Sequence, residues 1–167
     1  MYEIERKYIV DPASPALHRA LTTAGSGDHI RQGYVIAAGA TGELRLRSRN
    51  GRHTMTVKRG TPPQREEYEV DVPTELFEQL WPATDGCRVK KRRWHIRYGE
   101  LDVELDAFDG ALQGLWLAEI EFPSLQDAKR AGSVESPAWL GPEVTHDKRF
   151  TNQALAQASA PPTVDEL

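Results

Sequence analysis

The feature that most constrains the fold is a strict alternation of charged and apolar residues along short segments. In "ELRLR", Arg45 and Arg47 alternate with Leu44 and Leu46, and "LAEIEF" repeats the pattern with carboxylates. A period of two places the charged side chains on one face of a β-strand and the apolar side chains on the other. The pattern predicts a mainly β (α+β) protein whose strands lie at 2–10, 30–37, 42–49, 53–59, 65–72, 88–98, 101–108 and 115–122.

One turn between these strands is specified by its residue types. Asn50 and Gly51 separate the segments 42–49 and 53–59, and both residue types tolerate the positive φ angles of a tight hairpin turn. The sequence therefore predicts that these two segments pair antiparallel.

Helices are fewer and are expected at the periphery. In "SPALHRALTTAG", Ser14 is expected to cap a helix that begins at Pro15 and stops at Gly25. A second helix is expected after Thr74 as its cap, with Leu76, Phe77, Leu80 and Trp81 on one apolar face until Pro82 ends it. Shorter helices are expected at about 124–131 and 151–158.

Composition narrows the class of protein. The 167 residues hold one cysteine, so no internal disulfide forms, and no apolar run is long enough for a signal or a membrane span. A formal charge of −4 argues against sequence-independent nucleic-acid binding. We expect a cytoplasmic protein with no nucleic-acid or membrane partner, one domain over 1–158 and a flexible tail over 159–167.

The charges of the polar face are sorted by sign from strand to strand. Acidic pairs at spacing i, i+2 are Glu3/Glu5, Glu67/Glu69, Glu104/Asp106 and Glu119/Glu121, and the basic side chains in phase with them are Lys7, Arg45, Arg47, Lys58, Lys91 and Arg93. An ordinary solvent-exposed sheet face is the simplest explanation of any one strand, but such faces usually mix their polar residues. Sorted charges instead favour a barrel whose lumen holds charge rather than apolar side chains, with helices packed outside.

A lumen of this kind needs compensating ligands. Clustered carboxylates and buried cations are each costly unless a counter-charge is present. No His or Cys cluster is evident, so the carboxylates suit a hard ion, Mg²⁺ or Mn²⁺. A polyphosphate chain could contact both the cationic side chains and such an ion.

These residues resemble the CYTH superfamily, also called the triphosphate tunnel metalloenzymes. "EIERK" matches its ExExK signature, and the similarity continues through "ELRLR", "TVKRG", "EEYEV", "ELDAF", "EIEF" and "DKRF". The chain is most similar to short bacterial members that act as inorganic triphosphatases. The resemblance implies a closed eight-stranded antiparallel barrel in which Mg²⁺ or Mn²⁺ presents triphosphate to water, releasing phosphate and pyrophosphate.

The resemblance also implies roles for individual residues. Lys91 would position or deprotonate the attacking water, and Tyr34 and Lys148 would close or line the tunnel. In the segment 88–98, a shifted register would bring Lys90 and Arg92 inward in place of Lys91 and Arg93. Metal would be held or oriented by Glu3, Glu5, Asp106, Glu119 and Glu121, with Glu67, Glu69 and Glu104 near a second metal or its waters, and phosphoryl oxygens by Lys7, Arg45, Arg47, Lys58 and Arg93.

Two other classes of function fit the same pattern. A class IV-type adenylate cyclase or a thiamine or nucleoside triphosphatase would use the same tunnel, although no purine or thiazole pocket is evident in the sequence. A non-catalytic polyphosphate-binding module is the third possibility, but anion binding alone would not require so many carboxylates. A homodimer is the expected assembly if the chain is not a monomer.

Overall fold

The structure, a computed structural model, describes residues 4–35, 42–61, 64–130 and 136–163. The strands are β1 (Glu5–Val10), β2 (Asp28–Val35), β3 (Gly42–Arg49), β4 (Arg52–Thr61), β5 (Gln64–Asp71), β6 (Arg88–Tyr98), β7 (Leu101–Phe108), β8 (Trp116–Glu121) and β9 (Leu140–Glu143). The α-helices are α1 (Pro15–Ala24), α2 (Thr74–Leu80), α3 (Leu125–Arg130) and α4 (Asn152–Leu155). Short 3₁₀ helices lie at Trp81–Thr84, Gly110–Leu112 and Lys148–Phe150.

The described strands belong to one antiparallel sheet in the order β5-β4-β3-β2-β6-β7-β8-β1-β9. The prediction of a mainly antiparallel β fold is confirmed, but the sheet in the described part of the chain has nine strands rather than eight. Within the same residues no ladder joins β5 to β9, so hydrogen bonds do not close the sheet. The ninth strand escaped prediction because "LGPE" does not alternate, and its proline is tolerated only because the strand is an edge.

The predicted hairpin and the first helix are confirmed. Asn50 and Gly51 have φ angles of 49° and 86°, and Arg49 faces Arg52 across the turn between β3 and β4. Helix α1 begins at Pro15, although the Ser14 side chain makes no capping hydrogen bond. The prediction that Thr74 caps the second helix is wrong, because Thr74 is the first residue of α2 and Pro73 occupies the cap position.

Two helix ends differ from the prediction. Pro82 does not end the helical segment, because a 3₁₀ helix over Trp81–Thr84 continues it and accommodates proline near its first position. At the C-terminus, α4 spans only Asn152–Leu155, and a separate 3₁₀ helix over Lys148–Phe150 precedes it.

Within the described ranges, the buried apolar side chains form two clusters on opposite sides of the sheet. The outer cluster joins Leu17 of α1 to strand residues such as Val103 and Ile120. The inner cluster packs Val89, Phe108 and Leu117, which share their face with the charged residues of β6, β7 and β8, against the C-terminal segment. The expectation of a lumen without apolar side chains is therefore wrong, since one half of the inner face is charged and the other is filled by this cluster, which includes Phe150 and Leu155.

Parts of the predicted outer apolar face remain exposed. Tyr68 of β5 is 72% exposed and Leu76 of α2 is 48% exposed, so the described helices cover neither. Among the described residues, no helix has the length and apolar character needed to cross a membrane. The division into one domain over 1–158 and a tail over 159–167 stays a prediction.

Candidate active site

The charged half of the inner face lines an open cavity of about 820 Å³. Glu67 and Glu69 of β5 and Glu143 of β9 all contribute to its wall. Because β5 and β9 are the two edges of the sheet, the sheet must curve far enough for both edges to border the same space. Side chains from the strands between these edges complete the wall, together with residues 144–147 and 150–153.

Arg93 is the centre of a buried ion-pair network at the base of this cavity. Its Nε donates to Oδ1 of Asp106 at 2.6 Å and its Nη2 to Oδ2 at 2.6 Å, a two-pronged contact. Nη2 also lies 2.9 Å from Oε2 of Glu119, and Nη1 contacts Glu104. The other oxygen of Glu119 lies 2.8 Å from Nζ of Lys7. The β6–β7 register creates this network, because it places Arg93 directly opposite Asp106.

A second ion-pair group lies on β3, β4 and β5. Nη2 of Arg45 donates to the Thr56 hydroxyl at 3.0 Å, and this hydroxyl donates to Glu69 at 2.7 Å. Nζ of Lys58 lies 2.9 Å from Glu67. Arg45 is 6% exposed, and its Nε has no hydrogen-bond partner within the described structure. A buried donor of this kind favours the arrival of an acceptor such as a phosphoryl oxygen.

Burial and neighbouring charges have opposite effects on the pKa values of the site residues. Burial alone would raise the pKa of Glu119 and Asp106, but nearby cations outweigh it and hold both pKa values below their usual range. These cations are Lys7, Arg93 and Lys91 for Glu119, and Arg93 and Lys91 for Asp106. Burial would lower the pKa of Lys7, yet the carboxylates of Glu119 and Glu5 raise it. Glu119, Asp106 and Lys7 are therefore charged at neutral pH.

The pKa values of two cationic side chains in the described part of the site are lowered. Burial, with the nearby Arg93 cation, lowers the pKa of Lys91 to about 8 despite the carboxylate of Asp106. Burial, with the cations of Arg45 and Arg93, lowers the pKa of Arg47 to about 10. Burial raises the pKa of Tyr34, which therefore remains a neutral phenol.

The described cavity wall is net acidic, and this determines what it can bind. It holds six Lys and Arg side chains and nine Asp and Glu side chains. A highly charged anion would meet excess negative charge there unless a cation accompanied it. Carboxylate oxygens are the ligands that hard divalent ions prefer, and Glu5 and Glu121 lie directly opposite each other on β1 and β8. The donor chemistry therefore fits a divalent ion held by Glu5 and Glu121.

The structure supports some candidate metal ligands better than others. Among the described residues, no three His, Cys, Asp or Glu side chains are grouped closely enough to hold a metal ion. Both oxygens of Asp106 and both of Glu119 are already engaged by cations. These two carboxylates therefore fit the anchoring of Arg93, Lys7 and Lys91 better than direct ligation. Glu3 lies outside the described residues.

The structure places most of the predicted site residues together. Lys91 and Arg93, rather than Lys90 and Arg92, point inward, since their exposed fractions are 1% and 5%. Lys91 and Asp106 lie beneath the cavity wall rather than in it, and Lys148 does not line it. The predicted residues that do line the cavity are Glu5, Lys7, Tyr34, Arg45, Arg47, Lys58, Glu67, Glu69, Arg93, Glu104, Glu119 and Glu121.

Several wall residues were missed from the sequence. Glu43 has the same alternation phase as Arg45 and could have been found from it. Residues 144–147 and 150–153 form part of the wall without belonging to a strand, so alternation gives no signal for them. Two further missed residues, Thr56 and Gln32, lie outside the cavity wall, and both are neutral polar residues, 0% exposed, in phase with the charged ones.

The side chain of Gln32 links two of the predicted site residues, Tyr34 and Arg47. Its Nε2 donates to the Tyr34 hydroxyl at 2.8 Å, and its Oε1 accepts from Nε of Arg47 at 3.3 Å. We expect Gln32→Leu to lower the free energy of unfolding by about 1–3 kcal/mol, because the buried Tyr34 hydroxyl and the half-buried Arg47 guanidinium both lose their partner. The Michaelis constant for a phosphate substrate should rise roughly tenfold, because Arg47 is no longer oriented.

Urea unfolding and steady-state kinetics check this prediction. Gln79→Leu, at an exposed position on α2, is the matched control and should change neither quantity. If the Gln32 and Gln79 variants behaved alike, the connecting role of Gln32 would be excluded.

Comparison with known proteins identifies the family. The CYTH domain model matches residues 1–149, and the chain belongs to this family. An inorganic triphosphatase of Nitrosomonas europaea is 42% identical over 158 residues, which is 93% of this chain and 97% of the relative. An inorganic triphosphatase of Acetivibrio thermocellus is 32% identical over 157 residues, which is 93% of each chain.

Solved structures agree with this assignment. The crystal structure of an inorganic triphosphatase superposes with a TM-score of 0.68 at 38% identity, covering 97% of this chain and 98% of that one. A Hippeastrum protein with a dominant triphosphatase activity superposes with a TM-score of 0.57 over 78% of this chain and 84% of that one. At 17% identity, the second match shows only that the fold is shared.

Proposed function

We propose that this protein is a hydrolase that cleaves inorganic triphosphate to phosphate and pyrophosphate inside its charged cavity. One observation carries the proposal: Lys7, Arg45, Arg47, Lys58 and Arg93 converge from β1, β3, β4 and β6 on one cavity whose wall also holds opposed carboxylates. The names of the relatives at 42% and 32% identity support the same substrate.

The chain's own residues supply binding and orientation. Arg45 and Arg47 donate several hydrogen bonds each to phosphoryl oxygens, while Lys7 and Lys58 act as point charges. In the free protein Arg45 and Lys58 are paired with Glu67 and Glu69, so substrate must replace carboxylates as the partners of these cations. The exchange leaves Glu67 and Glu69 without their counter-charges, so these carboxylates would then be available to a divalent ion.

We also propose that hydrolysis depends on a divalent metal ion. Glu5 and Glu121 would hold Mg²⁺ or Mn²⁺, and the sequence resemblance assigns Glu3 to the same set. Glu67, Glu69 and Glu104 would be available to a second ion or its waters. When bound, the ion neutralises charge on the phosphoryl oxygens and helps align them for in-line attack by water. Asp106 and Glu119 hold Arg93, Lys7 and Lys91 in place. Lys91 orients or deprotonates the attacking water from beneath the wall.

The curved sheet supports an enclosed tunnel. We propose that β5 and β9 approach each other across the cavity without a complete ladder, and that the inner apolar cluster closes one end. Phosphoryl transfer needs positioned charge more than covalent help, and charged side chains on paired strands provide it. A homodimer and a cytoplasmic location stay predictions.

A substrate panel tests the proposed function. Purified protein with Mg²⁺ or Mn²⁺ is incubated separately with triphosphate, ATP, thiamine triphosphate and long-chain polyphosphate, and phosphate and cyclic AMP are measured. We expect phosphate release from triphosphate and no cyclic AMP. Cyclic AMP from ATP would indicate a cyclase, phosphate from thiamine triphosphate or ATP alone would indicate an organic substrate, and tight binding without turnover would indicate a non-catalytic module.

Removal of divalent metal ions from the protein tests the metal dependence of hydrolysis. Dialysis against a chelator is expected to lower triphosphate hydrolysis at least ~100-fold, because the net acidic wall then repels the anion. Activity should return on addition of Mg²⁺ or Mn²⁺. Hydrolysis that survives the chelator unchanged would contradict metal dependence and leave the substrate assignment intact.

A further inference from the structure

The amine of Lys91 is buried beneath the cavity wall, and one wall residue contacts it. Nζ of Lys91 donates to Oδ2 of Asp106 at 2.7 Å and to Oδ1 of Asn152 at 3.1 Å. Of these two acceptors only Asn152 lines the cavity. The orientation of the Asn152 amide follows from chemistry, because a lysine amine donating a hydrogen bond requires the amide oxygen.

The position of Asn152 is fixed by packing and capping. Thr151 caps α4, its hydroxyl accepting from the backbone N–H of Ala154 at 3.2 Å. Leu155, at 1% exposed, lies in the inner apolar cluster, and the carbonyl of Ala156 accepts from the backbone N–H of Arg88 at 3.1 Å. Helix α4 is therefore attached directly to β6, the strand that carries Lys91.

Asn152 also lies outside the part of the chain that the family model matches, residues 1–149. The segment that follows this region is thus more than a tail attached to the sheet. It supplies a side chain to the cavity wall and a hydrogen-bond acceptor to a buried amine.

We propose that Asn152 is a positioning residue that acts through Lys91, an inference that rests on the proposed hydrolysis of triphosphate. A lysine nitrogen has tetrahedral geometry, whether it carries two hydrogens or three. One direction is the bond to Cε and two point to Asp106 and Asn152, so the fourth direction is fixed. Without Asn152 a single hydrogen bond, to Asp106, holds the amine, so the end of the Lys91 side chain shifts more easily and the fourth direction is less closely defined.

This geometry predicts a loss of turnover rather than of substrate affinity. For Asn152→Ala, kcat for triphosphate should fall roughly 10- to 100-fold, the range expected for one hydrogen bond to a charged group, while KM changes less than about threefold. Asn152→Asp keeps an acceptor oxygen at the same reach, so its kcat should stay within about threefold of wild type. Its KM should rise, because the added charge repels the anion.

Steady-state kinetics of the full-length variants, with melting temperatures recorded, make this test. Gln157→Leu, an exposed amide just after α4, is the control and should match wild type. An unchanged kcat in Asn152→Ala would overturn the proposal, as would a higher KM at constant kcat, which would make Asn152 a substrate-binding group instead.

A second measurement keeps this inference separate from the proposed function. Lysine acylation by acetic anhydride, quantified at Lys91 by mass spectrometry, reports on the amine without any substrate. We expect labelling at least severalfold faster in Asn152→Ala than in wild type and Asn152→Asp. Equal protection in all three would contradict the contact, even if the protein hydrolysed triphosphate. A protein that showed the labelling pattern but no hydrolysis would instead refute the proposed function alone.

Discussion

Replacing Arg93 with methionine is expected to lower the free energy of unfolding by about 3–5 kcal/mol and to reduce triphosphate hydrolysis at least ~100-fold. Arg93 is 5% exposed and contacts Asp106, Glu119 and Glu104 together. Removing the guanidinium charge leaves the buried carboxylates of Asp106 and Glu119 with less positive charge nearby. Such a loss costs far more than the net contribution of an intact ion pair.

Urea unfolding and turnover measurements check this result, with Arg97→Met as the matched control. Arg97 lies further along the same face of β6 and pairs with Asp102 at 2.7 Å, but its side chain is 56% exposed. An exposed pair contributes about 1 kcal/mol or less, so the control should be almost as stable as wild type. Arg93→Lys should fall between the two variants, because it keeps the charge and loses the two-pronged contact. Similar losses in Arg93→Met and Arg97→Met would contradict the buried network.

Replacing Glu5 with glutamine is expected to remove most metal-dependent turnover, by roughly 100-fold or more, while the protein stays folded. Glu5 is exposed to the cavity and faces Glu121 across the β1–β8 ladder. The glutamine keeps the size of the side chain and loses the negative charge that a hard cation requires. Its exposure means that little stability depends on it.

Turnover is measured against the concentration of Mg²⁺ and of Mn²⁺, with thermal unfolding as the test of integrity. Glu66→Gln is the control, since Glu66 is exposed on the other face of β5 and lies outside the cavity wall. The half-saturating metal concentration should rise in Glu5→Gln and stay constant in Glu66→Gln. Near-normal rates of Glu5→Gln at saturating Mg²⁺ would contradict the assignment of Glu5 to the metal.

Much of the site could be predicted from alternation alone. Because side chains two residues apart share a face, finding Arg45 also identified Arg47, and Glu119 identified Glu121. The same parity places Val89, Phe108 and Leu117 on the inner face, but apolar residues look alike whether they fill a lumen or the outer core. The division of the inner face into a charged half and an apolar half therefore became visible only with the C-terminal segment in place.

Other features depend on tertiary contacts that no local pattern encodes. Asn152 lies 61 positions from Lys91, its hydrogen-bond donor. Strand β9 carries a glycine and a proline and is recognisable only by its pairing with β1. Closure of a sheet depends on its overall curvature and on the stagger between all of its strands, so the pattern within any one segment leaves it undetermined.

The binding of triphosphate to the charged half of the inner face is the premise on which these assignments rest. A crystal structure of the Glu5→Gln variant with triphosphate and Mn²⁺ tests it directly. We expect phosphoryl oxygens within hydrogen-bond distance of Arg45, Arg47 and Lys58, and any anomalous manganese peak beside the remaining cavity carboxylates, with Glu121 of β8 among them. Triphosphate bound on the outer face of the sheet, with the cavity holding only water, would contradict the proposed site.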